Sequence, residues 1–552
     1  MKALIIGLDG ATWDVMSPLI EAGRMPNLAA LAKRGTSAIL DSVIPPNSPA
    51  AWSSFLTGKN PGKHGVFHFT KPAPDSMKQV PCSFRDIRSE TFPSLLSKAG
   101  LTVGMVNIPM TYPPPKINGF VIPGIPVAAN DEKYCHPPEL GEEIASRFSG
   151  YRVDRDFSDI ISWENDPKTV VEQFRALFED MVSIEEKRVA VSVALQKEKQ
   201  PDVFVVVLTL LDRLQHYFWH LGDPAHPHYS EKSAKALGNL IQEAYRLVDT
   251  MVGRLLETVE AETPVIIVSD HGFGPYHGDF YLNRWLMDHH YMTVRRVPRL
   301  VLKKTQLVRI LERLKLRFLN GLLPRKVLQI PLTFPLVKAR NDTGDIIWSR
   351  TRAYTTLFGL RINVKGREPF GIVEHGRDYE ELLSEISRKL SQLSDRVGPI
   401  EIADQRTLYS GPYSTFGPDL YLSIAGITYV PNERLDKRKW FDTRHSPPLS
   451  GMHRIEGVFL AAGPNFARRR EIPAANIQDI APTLLYLLGF PVPKEMDGRV
   501  LVEIFQDGYV EAHPIAYDES TAEAFGGHGE DAYGAEDEER IIDSLRGLGY
   551  VD

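Results

Sequence analysis

The chain has 552 residues, 43% hydrophobic and 24% charged, proportions that exclude a disordered chain, a collagen-like repeat and a membrane channel. At roughly 100–200 residues per domain, this length suits about three to five domains or one large core with insertions. Its 64 Lys/Arg and 70 Asp/Glu leave a formal charge of −6, so it is no polycation, and no nucleic-acid binding is expected.

Met1-Lys2 leads directly into Ala3-Leu-Ile-Ile-Gly-Leu-Asp9. This apolar run is too short for a signal-peptide core, lacks a small-residue cleavage site and meets an acid at once, so a cytoplasmic location is expected. No stretch approaches the ~20 apolar residues of a spanning helix. Aliphatic runs recur at 2–7, 101–107, 203–208, 264–269 and 457–461. Each is too short for a helix and too uniformly apolar for an edge strand, which predicts buried strands of a mostly parallel sheet. Helical patterns lie between them, at about 18–34, 169–196, 233–260, 379–393 and 477–488. The alternation predicts an α/β sandwich, whose ligand sites gather at the carboxyl ends of the strands.

Two segments depart from this pattern. Between Tyr291 and Arg340 there are 13 Lys/Arg and one acid, Glu312, and 306–319 spaces apolar and basic residues helically. This is expected to be a solvated basic helix in a cap insertion; the alternative is a face for anionic substrate, phospholipid or nucleic acid. Residues 518–540 are acidic and Gly-rich, expected as a flexible linker before a short terminal helix at 538–545. The expected organisation is therefore a first part of the core at 1–290 and a basic cap insertion at 291–345. The rest of the core, with substrate-cap elements, follows at 346–515, then an acidic linker with the terminal helix at 516–552.

The residues that carry chemistry follow in chain order. Asp9 sits just past the first strand, between Gly7 and Gly10, which let backbone and ligand approach closely. Such an Asp is also a common helix cap. In Asn47-Ser48-Pro49, the proline suits a first helical turn, making Ser48 the expected N-cap. Its hydroxyl would then lie at a helix N-terminus, a ready anion site. Asp212 and His216 are four apart, so on a helix they face the same way and can offer an O and an N ligand to one metal. Asp270-His271 follow a buried aliphatic strand. Desolvating that pair costs several kcal/mol per ion unless something compensates, and a divalent cation would. His453 precedes the last predicted strand, with His445 as a competing candidate. The only cysteines are Cys82 and Cys135, so any metal must be held by His and carboxylates. Seven O and N groups, from Asp9, Ser48, Asp212, His216, Asp270, His271 and His453, suffice for two metal sites with open positions.

In order along the chain, LIIGLDG, LTGKNPGKHG, NIPMTYPPP, LLDRLQH, IIVSDHGFGP, RINVKGREP, GMHRIEGVFLAAGP and DIAPTLLYLLGFPVPKEMDG resemble the alkaline phosphatase superfamily. The resemblance is closest to its branch of type I phosphodiesterases/nucleotide pyrophosphatases and predicted phosphohydrolase–phosphomutase proteins. It implies an alkaline-phosphatase-like, mostly parallel sheet sandwiched by helices, with a cap insertion. It implies one metal on Asp212, His216 and His453, and another on Asp9, Asp270, His271 and the Ser48 oxygen. Ser48 takes the nucleophile position, where many such phosphodiesterases carry Thr. Sulfatases need a Cys or Ser usually followed by a Pro and Arg pattern; Ser48-Pro49-Ala50-Ala51 lacks the Arg.

The expected activity is two-metal cleavage of a phosphodiester or phosphomonoester through a covalent Ser48 phosphoryl intermediate. Mixed His and carboxylate ligands suit Zn²⁺, with Mn²⁺ as the alternative. The expected partner is a phosphate-ester substrate, either a nucleotide or a lipid-linked compound, with peripheral contact at an anionic membrane through 306–319. Asn107 is a candidate contact for a phosphoryl oxygen. Lys365 and Arg367 are expected at a solvated strand end, with contact to a distal anion as the alternative, and His277 is either a substrate contact or a loop residue. The alternatives are a phosphomutase on the same site and a non-catalytic protein of anionic surfaces.

Overall fold

A computed structural model describes residues 1–73, 75–128, 134–157, 167–295, 345–443, 449–519 and 532–550, with the backbone alone at 167–170. The basic segment 306–319, His445 and most of the acidic linker lie outside these residues.

The strand Ala3–Leu8 is buried along its whole length, as its unbroken aliphatic sequence requires. It lies at the middle of the main sheet and pairs in parallel with Val203–Leu208 and Val265–Val268. From Val203–Leu208 the parallel order continues through Val103–Val106 to Gly119–Ile122. On the other side, Glu456–Ala462 runs antiparallel to both Val265–Val268 and Gly35–Asp41. The sheet is therefore mostly parallel, with one reversed strand. That reversal matters for the site. The parallel strands bring their carboxyl ends to one edge, and the reversed strand brings its amino end there.

Helices cover this sheet and share one core with it. Pro167–Lys199, Leu210–Gly222 and Leu240–Leu256 pack against one another. A second, smaller core surrounds a sheet whose strands run from Gly278–Phe280 to Phe441–Asp442. Its helix, Arg377–Ser391, buries Leu382, Leu383, Ile386 and Leu390, the spacing of one helical face. Among the described residues, no helix is long and apolar enough to cross a membrane.

Several elements differ from expectation. The helix expected at 18–34 is two, Trp13–Glu21 and Pro26–Arg34, because Gly23 turns left-handed and Pro26 starts the second. The pattern at 233–260 likewise splits into Glu231–Leu237 and Leu240–Leu256 at Gly238, with Asn239 capping the second helix. The strands Gly35–Asp41 and Gly119–Ile122 were not expected; each carries polar or glycine positions that weaken the aliphatic signal. The terminal helix is longer than expected, Ala535–Gly547.

Candidate active site

The strand ends deliver the side chains. Asp9 follows Leu8 directly, and Asp270-His271 follow Val265–Val268. Asp212 and His216 stand on Leu210–Gly222, the helix that begins just past Val203–Leu208. His453 lies on a short strand, Gly451–Arg454, which pairs with Gly272–Pro275 and sets His453 opposite Phe273. Ser48 arrives from beyond Gly35–Asp41 at the start of the helix Ser48–Thr57. All seven residues are buried, and they meet at one edge of the sheet.

They meet as two groups of three. Asp212, His216 and His453 form one; Asp9, Asp270 and His271 form the other. Within each, the ligand atoms lie within 4.8 Å of one another. Ser48 Oγ lies 3.4 Å from His271 Nε2, beside the second group.

The three imidazoles are held alike. His216 Nδ1 lies 3.1 Å from the Gly451 carbonyl, His271 Nδ1 3.1 Å from that of Gly272, and His453 Nδ1 2.9 Å from that of Pro46. A carbonyl can only accept, so each Nδ1 carries a proton and each ring turns its Nε2 into the cluster. His216 Nε2 and His453 Nε2 lie 3.1 Å apart. Burial pushes the His271 ring down to about 4 and the His453 ring down to about 3, which keeps both neutral at pH 7.

The carboxylates repeat this design, one oxygen tied and the other turned inward. Asp9 Oδ2 accepts from Trp52 Nε1 at 3.0 Å, and Asp270 Oδ1 accepts from the Gly10 N–H at 3.2 Å. Asp212 Oδ2 accepts from Arg213 and, at 3.5 Å, from the Tyr550 hydroxyl. Asp9 Oδ1, Asp270 Oδ2 and Asp212 Oδ1 are buried without a hydrogen-bond partner. Burial, with the charges of Asp270 and Asp212, raises the Asp9 carboxyl well above its usual range. Burial also raises Asp270, to about 7. Burial opposes the Asp212 anion too, but His216 and Arg213 beside it hold its carboxyl well below the usual range.

Two glycines make these approaches feasible. A Cβ on Gly7 would stand 2.5 Å from the Trp52 ring that reaches Asp9. Gly10 has φ +72°, and a Cβ there would stand 3.0 Å from the Asp212 backbone.

Ser48 is not the helix cap. Asn47 is, its side chain accepting from the Ala50 N–H, while Ser48 is the first helical residue with its hydroxyl free for the site. The anion site expected at this N-terminus is correspondingly reduced. Pro49 has no N–H and Ala50 spends its own on Asn47, which leaves the Ser48 N–H in that turn. Asn107, past the end of Val103–Val106, adopts φ 61° and donates its side-chain N–H to the Val207 carbonyl at 2.9 Å. Lys365 pairs with Glu374, and Arg367 pairs with Asp419 and Glu368, so both cations are engaged within the smaller sheet's domain. The His277 ring faces His226 and Tyr429.

Three further residues belong to the site. Trp52 orients Asp9. Arg213 is buried between Asp212 and Asp154, 2.9 Å from the latter. Tyr550 places its hydroxyl 3.3 Å from Ser48 Oγ and its ring near His453 and His216. Arg213 was visible as the neighbour of Asp212. Nothing local marked Tyr550 beyond the glycine before it.

The fold and this double cluster define an α/β protein with two carboxylate–imidazole centres beside a buried serine. The family model of type I phosphodiesterase / nucleotide pyrophosphatase matches residues 3–447. The chain belongs to that family, within the alkaline phosphatase superfamily. The matched range includes five of the six clustered ligand residues; His453 lies beyond it. The fold is similar to phosphonoacetate hydrolase from Sinorhizobium meliloti 1021 in complex with phosphonoformate, with a TM-score of 0.50 and 15% identity, over 87% of this chain and 94% of that one. Human ectonucleotide pyrophosphatase / phosphodiesterase 5 aligns with a TM-score of 0.48 and 13% identity, over 93% of this chain and 99% of that one. A 2,3-bisphosphoglycerate-independent phosphoglycerate mutase of Cereibacter sphaeroides is 42% identical over 67 residues, 11% of this chain and 13% of the mutase.

Proposed function

We propose that this chain is a two-metal phosphohydrolase that cleaves a phosphodiester or phosphomonoester through a covalent intermediate on Ser48. The observation that carries this reading is the common orientation of six side chains. Each has one polar atom tied to the protein and the other turned into one of two three-residue groups, where the inward oxygens of Asp9, Asp212 and Asp270 have no hydrogen-bond partner. Two divalent cations fit that donor set, which is the hard and borderline mixture that suits Zn²⁺ or Mn²⁺. Asp212, His216 and His453 would hold one; Asp9, Asp270, His271 and the Ser48 oxygen would hold the other. Such cations supply charge that stabilises the serine alkoxide and the departing oxygen of an in-line displacement.

The chain's own residues do the rest. Ser48 Oγ forms a bond to phosphorus as the bond to the leaving oxygen breaks, and water then releases the phosphoryl group from Ser48. Trp52 and the Gly10 N–H hold Asp9 and Asp270 in place, and Arg213 offsets the charge of Asp212. The short match to a phosphoglycerate mutase favours a second reading, in which the phosphoryl group on Ser48 passes to another hydroxyl instead of water.

The test is hydrolysis of bis(p-nitrophenyl) phosphate and p-nitrophenyl phosphate with Zn²⁺ or Mn²⁺, with chelator, and in Ser48→Ala. Metal-dependent turnover of either ester should fall at least ~100-fold in the variant, while its metal content stays at the wild-type level. Wild-type turnover in Ser48→Ala removes the serine from the mechanism. Wild-type turnover in chelator removes the metals.

A further inference from the structure

Residues 535–550 fold back across the molecule and bring Tyr550 into the site. The helix Ala535–Gly547 buries Ile541 and Leu545. Before it, Tyr533 stacks on Tyr112 and its hydroxyl donates to the Cys82 and Pro126 carbonyls. At its far end, the Tyr217 hydroxyl donates to the Gly547 carbonyl at 2.6 Å. A Cβ on Gly547 would stand 2.0 Å from the Phe157 carbonyl, so the backbone there is seated closely.

The helix then stops in a Schellman turn. Gly549 adopts φ 81°; its N–H donates to the Arg546 carbonyl, and the Tyr550 N–H donates to that of Leu545. This turn sets the direction of Tyr550. Its ring packs edge-on against Phe69, with centroids 4.9 Å apart, and its hydroxyl stands 3.3 Å from Ser48 Oγ and 3.5 Å from Asp212 Oδ2.

In the resting site the phenol's one hydrogen can go to Asp212 Oδ2 or to Ser48 Oγ, and the serine can donate to the phenol. The choice narrows once Ser48 reacts, because an alkoxide or a phosphorylated oxygen has no hydrogen to give. The remaining donor is the phenol, and bonds from neutral donors to anionic oxygens are among the strong ones.

Resting on the reading of Ser48 as nucleophile, we propose that Tyr550 is a catalytic residue. Its O–H donates a hydrogen bond to the anion at Ser48, the alkoxide before transfer and a phosphoryl oxygen after it. The helix Ala535–Gly547 is then a structural part of the active site.

The full-length, metal-loaded protein tests this with Tyr550→Phe, which keeps the ring and removes the donor. Turnover of the two p-nitrophenyl esters is measured alongside calorimetric binding of orthovanadate, an analogue of the transferred group. Tyr550→Phe should lower kcat about 10- to 100-fold, change KM little and weaken vanadate binding by a similar factor, with metal content unchanged. Wild-type kcat and vanadate affinity in Tyr550→Phe overturn the inference. A rise in turnover in Tyr550→Phe or Tyr550→Ala also overturns it, since Tyr550 would then be a plug. Wild-type turnover in Ser48→Ala is the separate signature of a wrong nucleophile. Should the wild type turn over neither ester, the vanadate comparison still decides whether the phenol meets the anion.

Discussion

Two sets of buried histidines differ in what their second nitrogen meets. His216, His271 and His453 give Nδ1–H to a carbonyl and leave Nε2 for a ligand. His64, away from that centre, is satisfied at both atoms. Its Nδ1 accepts from the Val66 N–H at 3.2 Å, so the proton sits on Nε2, 2.9 Å from Ser54 Oγ. A second proton would have to displace the Val66 bond. Burial, helped by the charge of Lys59, accordingly pushes the His64 ring down to about 3. Between about pH 3 and 6.5 the unfolded chain binds a proton there and the folded one does not. Its contribution to stability is thus complete above about pH 6.5 and is lost as the pH falls. Thermal unfolding from pH 8 to 5 should show a shallower loss of Tm below pH 6.5 in His64→Gln than in the wild type. Equal slopes would show that His64 titrates normally in the fold.

At the scale of the element, the helix Ser48–Thr57 shows how a small shift in capping alters chemistry. Asn47 and Ser48 are both good caps, and Pro49 suits either assignment because proline is tolerated throughout the first turn. The sequence alone favoured Ser48. Asn47 wins because its amide does two things at once, accepting from the Ala50 N–H at 3.1 Å and donating to the Phe67 carbonyl at 3.0 Å. The serine hydroxyl is thereby released for the site. Asn47→Ala should cost about 1–2 kcal/mol in urea unfolding, one lost cap plus one lost buried hydrogen bond. Stability equal to the wild type would mean that Ser48 caps the helix after all. The long parallel strands were legible because burial on both faces demands unbroken aliphatic residues. Gly35–Asp41 was not, because its sequence, GTSAILD, mixes polar and apolar positions.

Across the whole molecule, the site draws on residues from Asp9 to Tyr550, and legibility followed sequence distance. Asp270-His271 and Asp212…His216 stood out because each pair is local, and one strand end or one helical turn suffices to bring its members together. That these pairs would meet Asp9, His453 and Ser48 was expected from strand ends of one sheet; how they divide between two sites came from a resemblance. The parallel strands and the one reversed strand present the right ends to one edge. Tyr550 was illegible because its place depends on a helix that docks across the core and on a left-handed glycine at its end. The partner of Arg367 was hidden for the same reason: its guanidinium is spent on Asp419, 52 residues away.

On the proposed reading, the two three-residue groups are two separate cation sites that fill independently. Calorimetric titration of chelator-treated protein with Zn²⁺ or Mn²⁺, for the wild type, His216→Ala and His271→Ala, tests it most directly. Two equivalents should bind to the wild type and one to each variant, with circular dichroism unchanged. Equal stoichiometry in all three proteins, or none in the wild type, would contradict it.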